Sequence, residues 1–226
     1  MSDLNKKQRF NTLVSLFFAV SLFFFILTFS IGLPIYFRPF YYAHIDSMNL
    51  SEKSGFTEVE IREAYDEVLD YLTLPNKEFS AGVMAYSKGG AAHFADCKVL
   101  FALNSGVLLS SGICLIILTI LRRTGKLNRF KLGRYPACIF SALAAVILPI
   151  ILGTLAALDF NKAFVLFHSI FFPGKKNWLL NSKTDEIITV LPKDFFMHCA
   201  ILIGMGIVIF SATILLIQWI KIKKKV

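Results

Sequence analysis

Four long stretches without a single Asp, Glu, Lys or Arg limit what this chain can fold into: Asn11 to Phe37, Val99 to Leu121, Tyr135 to Leu158 and Phe195 to Ile220. A bilayer core of ~30 Å is crossed by about 20 helical residues, and each run reaches that length. With 56% hydrophobic residues and 23 phenylalanines in 226 positions, there is more apolar surface than a soluble core of this size can absorb. The expected fold is an all-α membrane protein with four transmembrane helices. Lys6, Lys7 and Arg9 precede the first run in the manner of a signal peptide. That run is much longer than an h-region of roughly 7–15 residues and lacks a small-residue cleavage site, so it reads as a retained helix.

The charges set the expected orientation. The N-terminal segment, the connection from Arg122 to Arg134 and the tail after Ile220 carry thirteen basic residues and one acid, Asp3. The two long connections, 38–98 and 159–194, carry eleven basic residues and fourteen acids. By the positive-inside rule both termini and the short basic loop lie in the cytoplasm, and the two long loops lie outside a multi-pass cell-membrane protein. The net charge of +9 is then a matter of topology and lipid headgroups, and a nucleic-acid partner is not required. The chain reads as one integral membrane domain over residues 1–226.

The outer loops are long enough to form a small mixed subdomain. Thr57-x-x-Glu60 is a capping box, and Ile61, Tyr65, Val68 and Leu72 follow on one helical face until Pro75-Asn76. Short strands are expected at Ala81 to Tyr86 and Ile187 to Leu191, and Gly89-Gly90 reads as a flexible turn. The stretch from Phe164 to Trp178 is too aromatic for an ordinary solvent loop and suits the membrane interface. Pro136 is expected in the first turn of the third helix, Pro149 and Gly153 are expected to kink it, and Pro192 opens the fourth. Neither internal repeat nor inverted symmetry is visible, which argues against a secondary transporter.

The chemistry gathers just before the second span, at His93-Phe-Ala-Asp96-Cys-Lys98. Ionisable groups at that depth are costly and mark candidate sites. His93 and His168 fall on the same side of a four-helix layout. Asp96 is three residues from His93 and, on a helix, is placed to fix its tautomer. Lys98 is by default a snorkelling anchor. His44 and His198 have no distinctive setting. Zinc is a weaker option, since no tight His-x-x-x-His or Cys-x-x-Cys spacing occurs. Cys97 as a thiol nucleophile with a histidine base is weak too, on the ground that adjacent helical residues point apart. Cys114 and Cys138 lie inside apolar runs and read as core residues, while Cys97 and Cys199 lie near segment ends, with a bridge between them open but unsupported. Phosphate-binding, nucleophile-elbow and dinucleotide motifs are absent.

Two signatures carry a resemblance. His93-Phe-x-Asp96-x-Lys98 before an apolar helix resembles the first signature of the bacterial lipoprotein intramolecular transacylase (Lit) family. Phe167-His168-x-x-Phe171-Phe172, Asn177-Trp178-Leu179, Asp185-x-Ile187-Ile188 and Leu191-Pro192-x-x-Phe195-Phe196 resemble its second. Cys97 stands where an apolar residue such as valine is expected. The resemblance implies that one acyl chain moves from the glyceryl oxygen of a diacylglyceryl-modified lipoprotein to the α-amine of its N-terminal cysteine, giving the lyso-form. It also implies that His93 and His168 are the catalytic pair, on the extracellular face, with Asp96, Lys98, Asn177 and Trp178 in support. Neither cofactor nor metal is expected, and the partners are the lipoprotein N-terminus and membrane lipid. His168 is the expected base, with His93, Asn177 or the Gly89–Gly90 backbone stabilising the oxyanion. The competing readings are a non-enzymatic membrane scaffold or lipid-binding protein, which docks through the helix from Glu58 to Leu72, and a zinc-dependent membrane hydrolase.

Overall fold

The computed structural model describes residues 3–224; Lys225 of the expected basic tail lies outside them. Four helices are long and apolar enough to cross a membrane: α1 (Asp3–Tyr36), α5 (Lys88–Arg123), α6 (Ala137–Leu158) and α9 (Lys193–Lys223). Between them lie α2 (Pro39–Ser47), α3 (Leu50–Ser54), α4 (Glu58–Thr73), a two-strand ladder of β1 (Lys131–Leu132) and β2 (Tyr135–Pro136), α7 (Phe160–Phe171) and α8 (Ile187–Val190). The helices divide between two compact units.

The first unit comprises the described residues of Met1–Ile31, Ser105–Thr154 and Ile203–Val226. Among its buried positions are small or branched residues: Ala19, Ala142, Ala145, Ile26 and Ile207. Helices associating in lipid have no water to flee, so they rely on close backbone approach through such residues. The Ser141 hydroxyl donates to the Ala19 carbonyl at 2.8 Å, and a Cβ on Gly112 would touch the Phe25 ring at 3.4 Å. Leu13, Phe17, Ile113, Ile116, Ile147 and Ile150 point outward, as lipid-facing side chains do. Pro136 closes the ladder instead of entering α6, which starts one residue later.

The second unit comprises Gly32–Asn104 and Leu155–Leu202 and is entirely helical apart from its loops. Thr57 caps α4 as its sequence requires: its hydroxyl accepts from Glu60 N at 3.3 Å, and the Glu60 carboxylate accepts from Thr57 N at 2.8 Å. The apolar face of α4 (Ile61, Tyr65, Val68 and Leu72) enters a core shared with Tyr41, Ile45, Ile187 and Val190. Tyr41 stacks flat on Tyr65 at 3.7 Å, and its hydroxyl donates to the Val190 carbonyl at 2.9 Å, which binds α2 to α8. On the opposite face Asp66 and Asp70 hold the Arg38 guanidinium, with Nη1 to Asp66 at 2.9 Å.

Neither expected strand forms, so this unit is helical and not mixed. Glu67 captures the Ser80 hydroxyl and the Gly82 amide, and Gly82 takes a φ of +60°, which folds 80–84 into a turn. Ile187–Val190 is a helical turn instead. The two segments still meet, through a bond from Glu186 N to the Ala85 carbonyl at 3.0 Å, answered from Ala85 N to the Glu186 carboxylate at 2.7 Å. Gly89-Gly90 is not a turn but the first turn of α5, and the aromatic loop contains α7, capped by Asp159.

Candidate active site

Because α5 begins at Lys88, well before the uncharged run, His93, Asp96 and Cys97 all stand on helix. Ser87 caps it: the Ser87 hydroxyl accepts from Gly90 N at 3.0 Å and donates to Asp185 Oδ1 at 2.8 Å. Asp185 is 3% exposed and also accepts from Ser87 N and Thr184 Oγ1. Burial pushes its pKa up, but these bonds outweigh that and hold the carboxyl below its usual range. An anion at a helix N-terminus suits the macrodipole. The Gly90 amide is therefore spent on the cap and is not a free oxyanion donor.

The structure brings His93 and His168 together. Their ring centroids are 5.8 Å apart and they are only 8% and 7% exposed. One atom bridging two ring nitrogens at hydrogen-bond lengths spans about 6 Å, close to that centroid separation. Phe164, Phe172 and Trp178 wall in His168, with the indole stacked on the imidazole at 4.6 Å. The Phe172 edge also meets the His93 ring at 5.2 Å.

Hydrogen bonds fix what each ring can do. His168 Nδ1 lies 2.8 Å from the Phe164 carbonyl, which can only accept. The neutral ring therefore carries its proton on Nδ1 and keeps a lone pair on Nε2. Burial lowers the His168 pKa below the usual histidine range, with the Phe164 carbonyl opposing. His93 differs. Its Nε2 lies 3.6 Å from Cys97 Sγ, and its Nδ1 is buried with no partner. In the tautomer where the thiol donates to Nε2, Nδ1 carries the hydrogen, and an N–H buried without an acceptor costs ~1–3 kcal/mol unless a ligand satisfies it.

Asp96 does not bond His93, contrary to expectation. It accepts from Lys175 Nζ and from Asn177 Nδ2 at 3.0 Å, while Trp178 Nε1 donates to the Lys175 carbonyl at 3.1 Å. Asp96 thus secures the segment that lays Trp178 over His168. Because a carboxylate only accepts, the Asn177 amide turns its nitrogen to Asp96 and leaves Oδ1 buried and unpartnered, with the second N–H of the amide not used by that bond. Lys98 sits over the Tyr71 ring at 4.3 Å and reaches the Lys77 carbonyl. It makes no contact with either imidazole among the described residues.

Three groupings escaped sequence reasoning. His93 and Cys97 are four apart, not adjacent, and share a helical face. His44 Nε2 meets His198 Nδ1 at 2.9 Å, across 154 positions that no local pattern links. Lys175 gave no local signal for its pairing with Asp96. All four cysteines are free, so the Cys97–Cys199 bridge does not form. Among the described residues no cluster of three His, Cys, Asp or Glu is placed to hold a metal.

Four helices long and apolar enough to span a membrane, with two buried imidazoles side by side, fit a membrane-integral acyl-transfer enzyme. The family model described as lipoprotein intramolecular transacylase Lit matches residues 16–196. The in meso structure of the membrane-integral lipoprotein intramolecular transacylase Lit from Bacillus cereus is similar at a TM-score of 0.85 and 27% identity, covering 96% of this chain and 98% of that one. Structures of the same Bacillus cereus protein with one histidine changed to arginine or to alanine match at TM-scores of 0.79 and 0.80, each with 26% identity. They cover 99% of this chain and, respectively, 96% and 99% of theirs. No curated protein sequence matches significantly. This chain belongs to the Lit family of lipoprotein intramolecular transacylases. It is a membrane-integral acyltransferase that acts on lipoproteins.

Proposed function

We propose that His168 and His93 together move an acyl chain within a diacylglyceryl-modified lipoprotein, from a glyceryl oxygen to the α-amine of the N-terminal cysteine. The observation that carries this is the unequal setting of the two buried rings: His168 Nδ1 is held by the Phe164 carbonyl, which leaves a lone pair on Nε2, while His93 Nδ1 is buried without a partner and in its Nδ1–H tautomer offers a donor. The neutral amine attacks the ester carbonyl, and its proton passes to His168 Nε2. The oxyanion so formed accepts from His93 Nδ1. The C–O bond to glycerol breaks, and the departing oxygen takes the proton back from His168. Ester and amine become amide and alcohol, so atoms and charge balance without water or a redox partner. Donor and acceptor belong to one molecule, which leaves the protein orientation and proton transfer to supply. Asn177 Oδ1 is suited to accept the second amine hydrogen. By the positive-inside rule the site faces outside, where the lipoprotein is anchored, and both termini are cytoplasmic.

The test is the purified enzyme with a synthetic diacylglyceryl lipopeptide, the products read by tandem mass spectrometry. One acyl group on the cysteine nitrogen and a lyso-glyceryl thioether are expected. Release of free fatty acid instead would make the protein a hydrolase, and an unchanged lipopeptide would favour a scaffold.

Two further outcomes follow. The base must be neutral and burial lowers the His168 pKa, so the rate should rise with pH through a value below the ordinary ~6.5 and then level off. An acid limb centred above 6.5 would contradict the assignment. The stability sign runs the same way: the unfolded chain binds this proton more readily, so His168 destabilises the fold only as pH falls below ~6.5. Second, Cys97→Ala should keep more than about a tenth of the activity, because the thiol only orients His93. Loss of a thousandfold or more would restore Cys97 as a covalent nucleophile.

A further inference from the structure

The first unit carries a cleft that acyl transfer does not use. It encloses about 530 Å³ and is lined by Lys7, Gln8, Asn11 and Thr12 of α1 and by Asn128, Arg129 and Lys131 of the basic connection. Lys7, Gln8, Asn11 and Ser15 share one face of α1 by helical spacing. The loop is fixed against them at several points. Phe130 is buried and stacks on Phe18 at 4.3 Å, Lys131 N donates to Ser15 Oγ at 3.1 Å, and Asn128 Nδ2 donates to Asn11 Oδ1 at 3.1 Å. Gly133, at a φ of +59°, starts the two-residue turn that pairs Leu132 with Tyr135. With Phe130 turned inward, Arg129 and Lys131 on either side of it stay exposed. Lys7, Arg129 and Lys131 have no ion-pair partner among the described residues, and residues 122–134 contain no acid.

Beside it runs a second groove of about 390 Å³, wholly apolar, formed by Phe10, Leu13, Val14 and Phe17 of α1 with Leu118, Leu121 and Leu127. Both involve the same end of α1 and the same loop. A three-cation cleft with amide donors, next to a greasy groove at the mouth of a span, matches one ligand chemistry: a phosphate headgroup carrying net negative charge, with acyl chains attached. We propose that this cleft is a binding site for an anionic phospholipid, with the phosphate on Lys7, Arg129 and Lys131 and one chain along Phe10, Leu13 and Phe17. By the charge rule the basic connection that lines the site lies at the cytoplasmic leaflet.

The test measures thermal unfolding of the full-length protein in a neutral detergent, titrated with phosphatidylglycerol, phosphatidylcholine or inorganic phosphate at constant ionic strength. Phosphatidylglycerol should raise the unfolding temperature in a saturable way, while the other two leave it unchanged. Each cation is worth about fivefold in affinity near the surface. Lys131→Gln, whose backbone bond to Ser15 survives, should need about five times more lipid for the same shift, and the triple variant with Lys7→Gln and Arg129→Gln about a hundred times more. Equal shifts with phosphatidylcholine, or an undiminished phosphatidylglycerol shift in Lys131→Gln, would overturn the proposal. A shift with inorganic phosphate that the triple variant loses would overturn it in favour of a soluble anion. If the triple variant fails to fold, Lys131→Gln decides alone.

Discussion

His168→Ala is expected to lower acyl transfer by roughly 10²–10⁴-fold while leaving the protein folded, the loss associated with removing a positioned general base. The ring is small and packs on Phe164, Phe172 and Trp178, so the unfolding temperature of the variant separates lost packing from a loss in the chemical step. His93→Ala should cost about 10²–10³-fold, the range for one oxyanion donor. The two losses should not add, because both groups act on one tetrahedral intermediate. Single-turnover assays on the lipopeptide distinguish the two: a pH–rate profile that stays sigmoidal in His93→Ala and turns flat in His168→Ala assigns the base to His168. A sigmoid surviving in His168→Ala would reverse the roles.

The second large effect falls on two neighbouring glycines. Gly90→Ala would put a Cβ 2.1 Å from Asp185 Oδ1, a separation no side chain tolerates, and 3.0 Å from its Cγ. Asp185 would have to leave the Ser87 amide and hydroxyl, which removes the support of the Ser87 cap and uncouples 181–187 from α5. Losing a cap costs ~1 kcal/mol and stranding a buried carboxylate a further few, so an unfolding temperature lower by several degrees and severe loss of activity are expected. At Gly89 the nearest atom to a new Cβ is Ser87 Oγ at 3.5 Å, an ordinary contact. Gly89→Ala should therefore be silent or stabilise by up to about 1 kcal/mol, since alanine is the better helix former. Calorimetry or circular dichroism of both variants decides it; equal behaviour would remove the Asp185 contact from the account.

The four long helices were legible because a span needs nothing more than uninterrupted apolar length, and the capping box and apolar face of α4 were legible because both are local. The strands at 81–86 and 187–191 were misread for the opposite reason. Alternation over five or six residues is weak: at 81–86 it lost to the Glu67 carboxylate of the preceding helix capturing Ser80 and Gly82, and at 187–190 to a helical turn. At the site, His93 and His168 stood out through the family signatures, whereas the work done by Asp96 did not. Its sequence neighbour His93 was the obvious partner, yet its actual partners, Lys175 and Asn177, are 79 and 81 residues away. The contact between His44 and His198 belongs to the same class, a product of packing alone.

The aromatic wall around the two imidazoles bears on fidelity. An ester held against a histidine base has two suitors, the tethered amine and any water that can reach the carbonyl. The first ends in a lyso-lipoprotein that remains anchored in its membrane; the second frees a fatty acid and loses part of the anchor for good. Phe164, Phe172 and Trp178 leave His93 and His168 less than a tenth exposed, and Asp96 keeps the indole in place from the far side of the segment. In the proposed mechanism, excluding water in this way favours the tethered amine over hydrolysis. A wall opened at the stacked tryptophan would then shift the product toward free fatty acid.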